Sequence, residues 1–395
     1  MIKINTTAMC CGCGTCTLVC PQKAITMATD EALFTAASIN SDACTDCGLC
    51  EKVCPILNHE NQVDLNHKVY IAYAKDADVR YNGSSGGMFG LIARHIISIG
   101  GDVYGAAFDS DMILKCTCAA TVDELYPLYK SKYLQSDLSN SFTEIKSKLD
   151  GGKSILFVST PCQVHALKLY LGREYPNLLT VDFVCHGVPS QKLFDLCREY
   201  VEERDKIRIT SYRFRAKKKN GSTPHYYTLG YIKNGVAKER TSLYLDSPFY
   251  YGFQKYITLR DSCYDCRFSY SNRVSDITIS DFHEVDKYIN GINRFDGVSC
   301  FVVNTQKGGA VWTNINKETT FHELDFKMLI ENGELMCGGT KKPPKREEFL
   351  CDLKNQPFET VAEKHLSAKK HSATRLYYSM PRFIRQILKK ALIRK

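Results

Sequence analysis

Eight cysteines near the start of the chain fall into two identical runs: Cys10, Cys13, Cys16 and Cys20 before Pro21, then Cys44, Cys47, Cys50 and Cys54 before Pro55. In a C-x2-C-x2-C-x3-C-P run, three thiolates hold one 4Fe-4S cluster and the fourth crosses to the other. That rule assigns Cys10, Cys13, Cys16 and Cys54 to one cluster and Cys44, Cys47, Cys50 and Cys20 to the second. A zinc site needs only four ligands, and a disulfide framework belongs to a small secreted domain. Two matching copies, each closed by Pro, fit neither. The chemistry implied is one-electron transfer. Cys11, wedged between ligands, reads as a bystander thiol.

Further constellations lie downstream. Gly83-Ser84-Ser85-Gly86-Gly87 stands between a strand pattern and a helix pattern. Unpaired N–H groups at a helix start favour a phosphate, and a loop with an N-cap is the alternative. Thr160-Pro161-Cys162-Gln163 ends one short apolar strand, and Val184-Cys185-His186-Gly187 ends the next. If those strands are parallel, both thiols emerge at one sheet edge, and Cys162 at a helix N-terminus favours its thiolate. Cys263-Tyr264-Asp265-Cys266 is a C-x2-C that suits a redox dithiol, half a zinc site or half a cluster site. With Cys162 and Cys185 it completes four thiolates, enough for a third 4Fe-4S cluster. His186 offers a proton donor beside that set, or is a satisfied loop residue. Arg213, Arg215, Lys217, Lys218 and Lys219 form a basic run that suits a phosphorylated cofactor, an acidic carrier or a solvated turn. Cys116, Cys118, Cys197, Cys300, Cys337 and Cys351 read as structural thiols.

The elements that must position these residues follow from periodicity. Residues 1–60 form a small ferredoxin-like domain organised by its clusters. Val69 to Ala74 reads as a strand, Gly86 to Ile99 as a helix and Val103 to Phe108 as a strand. Ile155 to Ser159, Gln163 to Leu171 and Leu178 to Cys185 repeat the order, so two β-α-β units with parallel pairing are expected. From about residue 207 the pattern turns extended and aromatic. Ile207 to Arg215 changes phase once, Tyr226 to Lys233 and Val236 to Tyr244 flank Asn234-Gly235 as a hairpin, and Asp276 to Asp281 and Val298 to Asn304 read as further strands. The fold class expected is mixed α+β: the cluster domain, a β-α-β-containing domain that carries the downstream cysteines, and a β-rich C-terminal part. The divisions are 1–60, 65–150, 151–345 and a basic tail over 346–395.

The formal charge of +9 suggests nucleic acid until it is located. Lys364 to Lys395 holds ten basic residues and no acidic one, which leaves the other 363 residues at −1. No nucleic-acid partner is therefore expected. Residues 375–395 place Phe383, Ile384, Ile387, Leu388 and Leu392 on one helical face with Arg and Lys opposite, suiting an acidic partner or a peripheral membrane contact. No stretch has the length of a membrane span, and nineteen cysteines without a secretion signal point to the cytoplasm.

The segments NGSSGG, GGDVYGAAFD, KSKYLQS, STPCQVHALKLYLG, LLTVDFVCHGVPS and SCYDCRFSYSNRVSDITISDF together resemble the beta subunits of coenzyme F420-reducing hydrogenases and formate dehydrogenases. The resemblance runs from about residue 69 to 305, with the two-cluster domain fused in front as in bacterial members. It implies an iron-sulfur flavoprotein that binds FAD. It carries over Ser85, Gly86 and Gly87, with Ser84 beside them, as the glycine turn, Lys132 as the SKY lysine, and Cys162, Cys185, Cys263 and Cys266 as the additional cluster ligands. Arg273, Asp276 and Asp281 match a further motif without an assigned role. Departures occur where the family continues D-F-W-G and this chain reads Asp281-Phe282-His283-Glu284, and where F-R-x-K-x-x-G-W appears as Phe214-Arg215-Ala216-Lys217 without the Trp. The resemblance is therefore not carried to deazaflavin specificity. Its fused members imply a reduction in a polysaccharide or cell-surface pathway.

The reading is an oxidoreductase that takes single electrons from an external donor, ferredoxin or similar. It passes them through 4Fe-4S clusters and FAD to an organic two-electron acceptor. The alternatives are an electron-transfer subunit whose active site lies on a partner subunit, and a dithiol reductase using Cys263 and Cys266.

Overall fold

The structure is a computed structural model that describes residues 9–59, 67–138, 140–217, 225–288, 296–331, 338–368, 375–377, 380 and 384. Lys218, Lys219, Cys337 and all but Ile384 of the basic segment Arg382 to Lys395 lie outside the described residues.

In the N-terminal domain, the two cysteine runs fold alike because each has a glycine directly after its second Cys. Gly14 (φ 73°) and Gly48 (φ 74°) are both left-handed, a conformation cheap only for glycine. Each starts a short helix, Thr15–Val19 and Leu49–Lys52, which carries the third Cys of its run. Between the runs, β1 (Ile25–Thr29) and β2 (Thr35–Ile39) form an antiparallel hairpin.

The body is built on an eight-stranded mixed sheet. Its strands are β3 (Lys68–Ala74), β4 (Asp102–Phe108), β5 (Leu114–Ala119), β6 (Ile155–Val158) and β7 (Leu178–Phe183), followed after an intervening sheet by β11 (Ile277–Asp281), β12 (Ser299–Val303) and β13 (Thr319–Leu324). The spatial order is β13-β3-β12-β11-β7-β6-β4-β5. β4, β6, β7 and β11 run parallel, each hydrogen-bonded to the next, while β12 is antiparallel to β11 and to β3. The unit from β6 to β7 therefore pairs in parallel, as expected. The first unit does not: β3 and β4 point the same way but are separated by β12, β11, β7 and β6. The sheet draws on strands from both sides of residue 150.

Central strands buried on both faces read as continuous apolar runs, and ILFV of β6 does so. Leu156 faces the cluster of Leu91, Ile92, Phe301 and Trp312, under the helices Met88–Ser98 and Gln306–Ile315. Its neighbours Ile155 and Phe157 face Phe142, Ile145, Val164 and Leu167, from the helices Ser141–Asp150 and Pro161–Leu171.

A separate antiparallel sheet contains β8 (Arg208–Phe214), β9 (Tyr226–Lys233) and β10 (Val236–Leu243). Asn234 and Gly235 both have positive φ, as a type I′ hairpin turn requires. The register of β8 against β9 shifts between Ile209 and Ser211, at the phase change in the sequence. The packed chain continues through Ala368, past the point where the sequence reading begins the tail. Phe349, Val361 and Leu366 are buried in the core formed with Phe249 and Tyr250. No helix among the described residues is long and apolar enough to cross a membrane.

Arg273 and Asp276 now have structural roles. Asp276 accepts from the backbone N–H and hydroxyl of Thr180 (2.8 and 2.7 Å), tying the start of β11 to β7. Arg273 and Asp182 form an ion pair at 3.0 Å with side chains 2% and 0% exposed, and Thr278 also donates to Asp182. Removing one partner of a buried pair strands the other charge. Asp182→Ala should therefore lower stability by about 3–5 kcal/mol in urea unfolding. A loss under about 1 kcal/mol, the range of surface pairs, would mean that water reaches Arg273.

Candidate functional site

The eight N-terminal thiols separate into two groups. Cys20, Cys44, Cys47 and Cys50 line one concavity with Pro21, Ile25 and Ile39, and Cys47 is exposed to solvent. Cys10, Cys13, Cys16 and Cys54 form the other group, on the side of the body. Burial, with Cys13, Cys10 and Cys54 adding like charge, pushes the Cys16 thiol up to about 12. A thiol so held binds metal only by releasing its proton. Backbone N–H groups already point at sulfur: Gly12 donates to Cys10 Sγ and Ala24 to Cys20 Sγ, each at 3.3 Å. Such bonds tune cluster potentials. Cys20→Ala should therefore damage the cluster of the Cys44 run and spare that of Cys10, Cys13, Cys16 and Cys54. Spectra showing the reverse would overturn the crossover.

Parallel β6 and β7 bring Cys162 and Cys185 to one edge. Cys162 lies in the first turn of the helix Pro161–Leu171, and Cys185 follows β7. Cys263 sits in the short helix Asp261–Tyr264, with Cys266 just beyond it. Burial pushes Cys185 well up, and Cys263, Cys162 and Cys266 all add like charge to it, so the four thiols share one site. Gly187 (φ +114°) is needed there, since a Cβ would stand 2.9 Å from Cys263 Cβ. Cys11 is not isolated. Its thiol interacts with both Cys13 and Cys162, and these interactions raise its own pKa while lowering those of both neighbours. The inner N-terminal group and the third group thus adjoin.

The same sheet edge carries the next layer. Asp281, the last residue of β11, pairs in register with Ser299 of β12, and Ser299 Oγ accepts the Gly86 N–H at 3.0 Å. This brings the glycine turn to the end of the parallel strands, where open α/β sheets bind ligands. Arg215 donates twice to Asp281 (2.6 and 2.9 Å), and to Ser84 O and Tyr133 Oη. Burial opposes the Asp281 charge, yet Arg215 holds its carboxyl below the usual range. Burial lowers His186, which stacks at 6.0 Å on Tyr256 and feels both Asp281 and His283. Burial and then Arg215 pull His225 down to about 4.

The glycine turn differs from expectation in detail. With its N–H already donated to Ser299, Gly86 does not present it to a phosphate. A Cβ there would lie 2.4 Å from Ala72 O, so glycine serves close packing on β3. Gly87 (φ 87°) caps the helix Met88–Ser98. Ser84 Oγ accepts from the backbone N–H and hydroxyl of Ser131, and Ser85 Oγ donates to Val298 O. Lys132 donates to Pro127 O and Tyr129 O (2.7 and 2.8 Å), which turns its ammonium toward its own loop, and burial lowers it to about 7.

The cations gathered round the turn are others. Lys217 Nζ meets Arg80 O, Ser85 O and Asp296 O at 2.5–2.9 Å. Lys130 Nζ meets Tyr81 O and Gly83 O. Burial lowers Lys217 to about 7, helped by Lys130, Arg80 and Arg215, and lowers Lys130 to about 8, helped by Arg215 and Arg213. Lys130 (φ 67°) and Arg215 (φ 56°) are both held left-handed, a strain that clusters at functional sites. Crowded, desolvated cations are the chemistry of a polyanion site. The basic run in the sequence gave a signal for Arg215 and Lys217. Lys130 appears only within the KSKYLQS segment, where Lys132 is the residue carried over, and Arg80 had no signal.

Comparison with known proteins gives two family matches. Residues 152–328 match the family model for the C terminus of the coenzyme F420 hydrogenase/dehydrogenase beta subunit, and residues 9–57 match a 4Fe-4S dicluster domain. No curated protein matches the chain. Among solved structures, a chain from the F420-reducing NiFe hydrogenase complex of Methanosarcina barkeri is similar, with 14% identity and a TM-score of 0.44. The match covers 78% of this chain and 91% of that one.

Proposed function

Because the chain belongs over residues 152–328 to the coenzyme F420 hydrogenase/dehydrogenase beta-subunit family and carries a 4Fe-4S dicluster domain at residues 9–57, we propose a self-contained electron converter within that oxidoreductase family. In this reading Cys20, Cys44, Cys47 and Cys50 hold the outer cluster, where a ferredoxin-like donor reaches exposed Cys47. Cys10, Cys13, Cys16 and Cys54 hold the inner cluster. Cys162, Cys185, Cys263 and Cys266 hold a third, and FAD lies at the turn Gly83–Gly87. The observation that supports it most is the junction at Cys11, whose thiol meets Cys13 of the inner group and Cys162 of the third, while the third group adjoins the layer of His186, Asp281 and Arg215.

Bound FAD would supply the conversion of single electrons into pairs. Lys217 and Lys130, which brace the turn through its carbonyls, would supply positive charge beside its phosphates, while Asp281 fixes the Arg215 fork next to them. His186, which follows Cys185 directly, is the proton carrier that the sequence singles out beside the third thiol group. The dithiol alternative is disfavoured because it leaves Cys162 and Cys185, which share the site with Cys263 and Cys266, without a role.

A partner subunit remains the competing place for substrate chemistry, since the family is one of beta subunits. The test is anaerobic assay of the isolated, reconstituted chain with a one-electron donor and two-electron acceptors such as free flavins and quinones. Turnover supports the self-contained reading. Reduction of the chain's own centres without turnover places the acceptor site on a partner.

A further inference from the structure

Arg260 is 2% exposed, and no carboxylate among the described residues pairs with it. Its guanidinium donates instead to neutral oxygens: Cys10 O at 3.1 Å, Thr35 O at 2.9 Å and Gln135 Oε1 at 2.6 and 3.1 Å. It also lies 4.7 Å over the Phe34 ring. All but Gln135 belong to the N-terminal domain. The Arg260 backbone belongs to the third thiol group, since its N–H donates to Val188 O and its carbonyl accepts the Cys263 N–H. Gln135 completes the seam by donating to Cys11 O and Gly12 O (3.0 and 2.8 Å). Gly12 leaves the room: a Cβ there would stand 2.6 Å from both Arg260 and Gln135.

A buried guanidinium without an anion is costly. The anions the sequence supplies are cluster thiolates, with Cys10 on one side and Cys263 on the other. A 4Fe-4S core with four thiolates carries a net charge of about −2.

We infer that Arg260 is the shared counter-charge of the inner and third clusters and, with Gln135, the latch that fixes their separation. The inference rests on the third cluster of the proposed function. Arg260 would itself exchange neither electron nor proton as the clusters change oxidation state. Its fixed charge favours the reduced state of both over that of the outer cluster.

The test uses the full chain, reconstituted anaerobically, with iron counted first and each cluster's midpoint read by spectroscopic redox titration. Wild type with only about eight irons would sink the third cluster itself, which separates that failure from failure of the Arg260 role. With about twelve present, Arg260→Gln should keep its iron. The inner and third clusters should become tenfold or more harder to reduce, a fall of about 59 mV for one electron, with the outer unchanged. Unchanged midpoints, or an equal fall at all three, would overturn the inference. Should Arg260→Gln not hold iron, Arg260→Lys decides: it keeps the charge and loses the fork, so midpoints stay near wild type while transfer between inner and third clusters slows. Midpoints that fall by about 59 mV or more with the charge kept, or transfer at the wild-type rate, would overturn it.

Discussion

Anaerobically reconstituted protein should hold about twelve irons per chain, three clusters of four, and Cys263→Ala should hold about eight. Iron is lost in a block because a cubane missing one of its four thiolates is left open at one iron, and the further thiol nearby, Cys11, meets the group at Cys162 and not at Cys263. The four thiols come from the ends of β6 and β7 and from a C-x2-C after Arg260, and they meet without borrowing from the N-terminal runs. The variant should keep the signals of the N-terminal pair. Wild type with about eight irons, or a disulfide between Cys263 and Cys266 that cycles with turnover, would return the site to the dithiol reading.

The second large effect is on flavin binding. Lys217→Ala should weaken FAD by about 10- to 100-fold, since it removes a cation beside the phosphates and unties the carbonyls of Arg80, Ser85 and Asp296 that shape the turn, charge-assisted bonds of about 1.5–3 kcal/mol each. Fluorescence titration of flavin-free chain measures it. The lysines also set the pH dependence. Before flavin binds, burial holds Lys217 down to about 7 and Lys130 to about 8, so both are charged at pH 6 and largely neutral at pH 9. FAD affinity should therefore fall as pH rises through that window. Without flavin the linkage runs the other way. A lysine whose pKa is depressed on folding binds fewer protons than in the unfolded chain, so stability rises with pH above about 7. Affinity that is flat from pH 6 to 9, with unchanged binding by Lys217→Ala, would remove these lysines from the phosphate site.

Legibility in the sequence follows the range of the interactions. The hairpin at Asn234-Gly235 and the phase change in β8 are set by neighbouring residues and read directly. The grouping of Cys54 with the first run and Cys20 with the second follows from spacing alone, and their ligation is what the iron counts test. The separation of β3 from β4 was not legible. Strand order depends on β11 and β12, which arrive some two hundred residues later and insert between them. Gly86 looked like a phosphate contact because a glycine-rich turn has the same composition whether it faces a ligand or packs on a strand. The cationic site was only half visible, since Arg80, Lys130, Arg215 and Lys217 come from three segments that no local pattern connects. Arg260 and Gln135 are single polar residues in unremarkable surroundings, and Cys11 gains meaning only when Cys162 folds against it.

The most direct test of the central claim is an anaerobic titration of the reconstituted chain with a one-electron reductant, following flavin and iron-sulfur absorption together. The account predicts bound flavin that bleaches fully, taking two electrons per chain through the clusters, and that bleaches far more slowly in Cys20→Ala when the donor is a ferredoxin-like protein. Clusters that reduce while the chain holds no flavin, or holds flavin that stays oxidised, would contradict it.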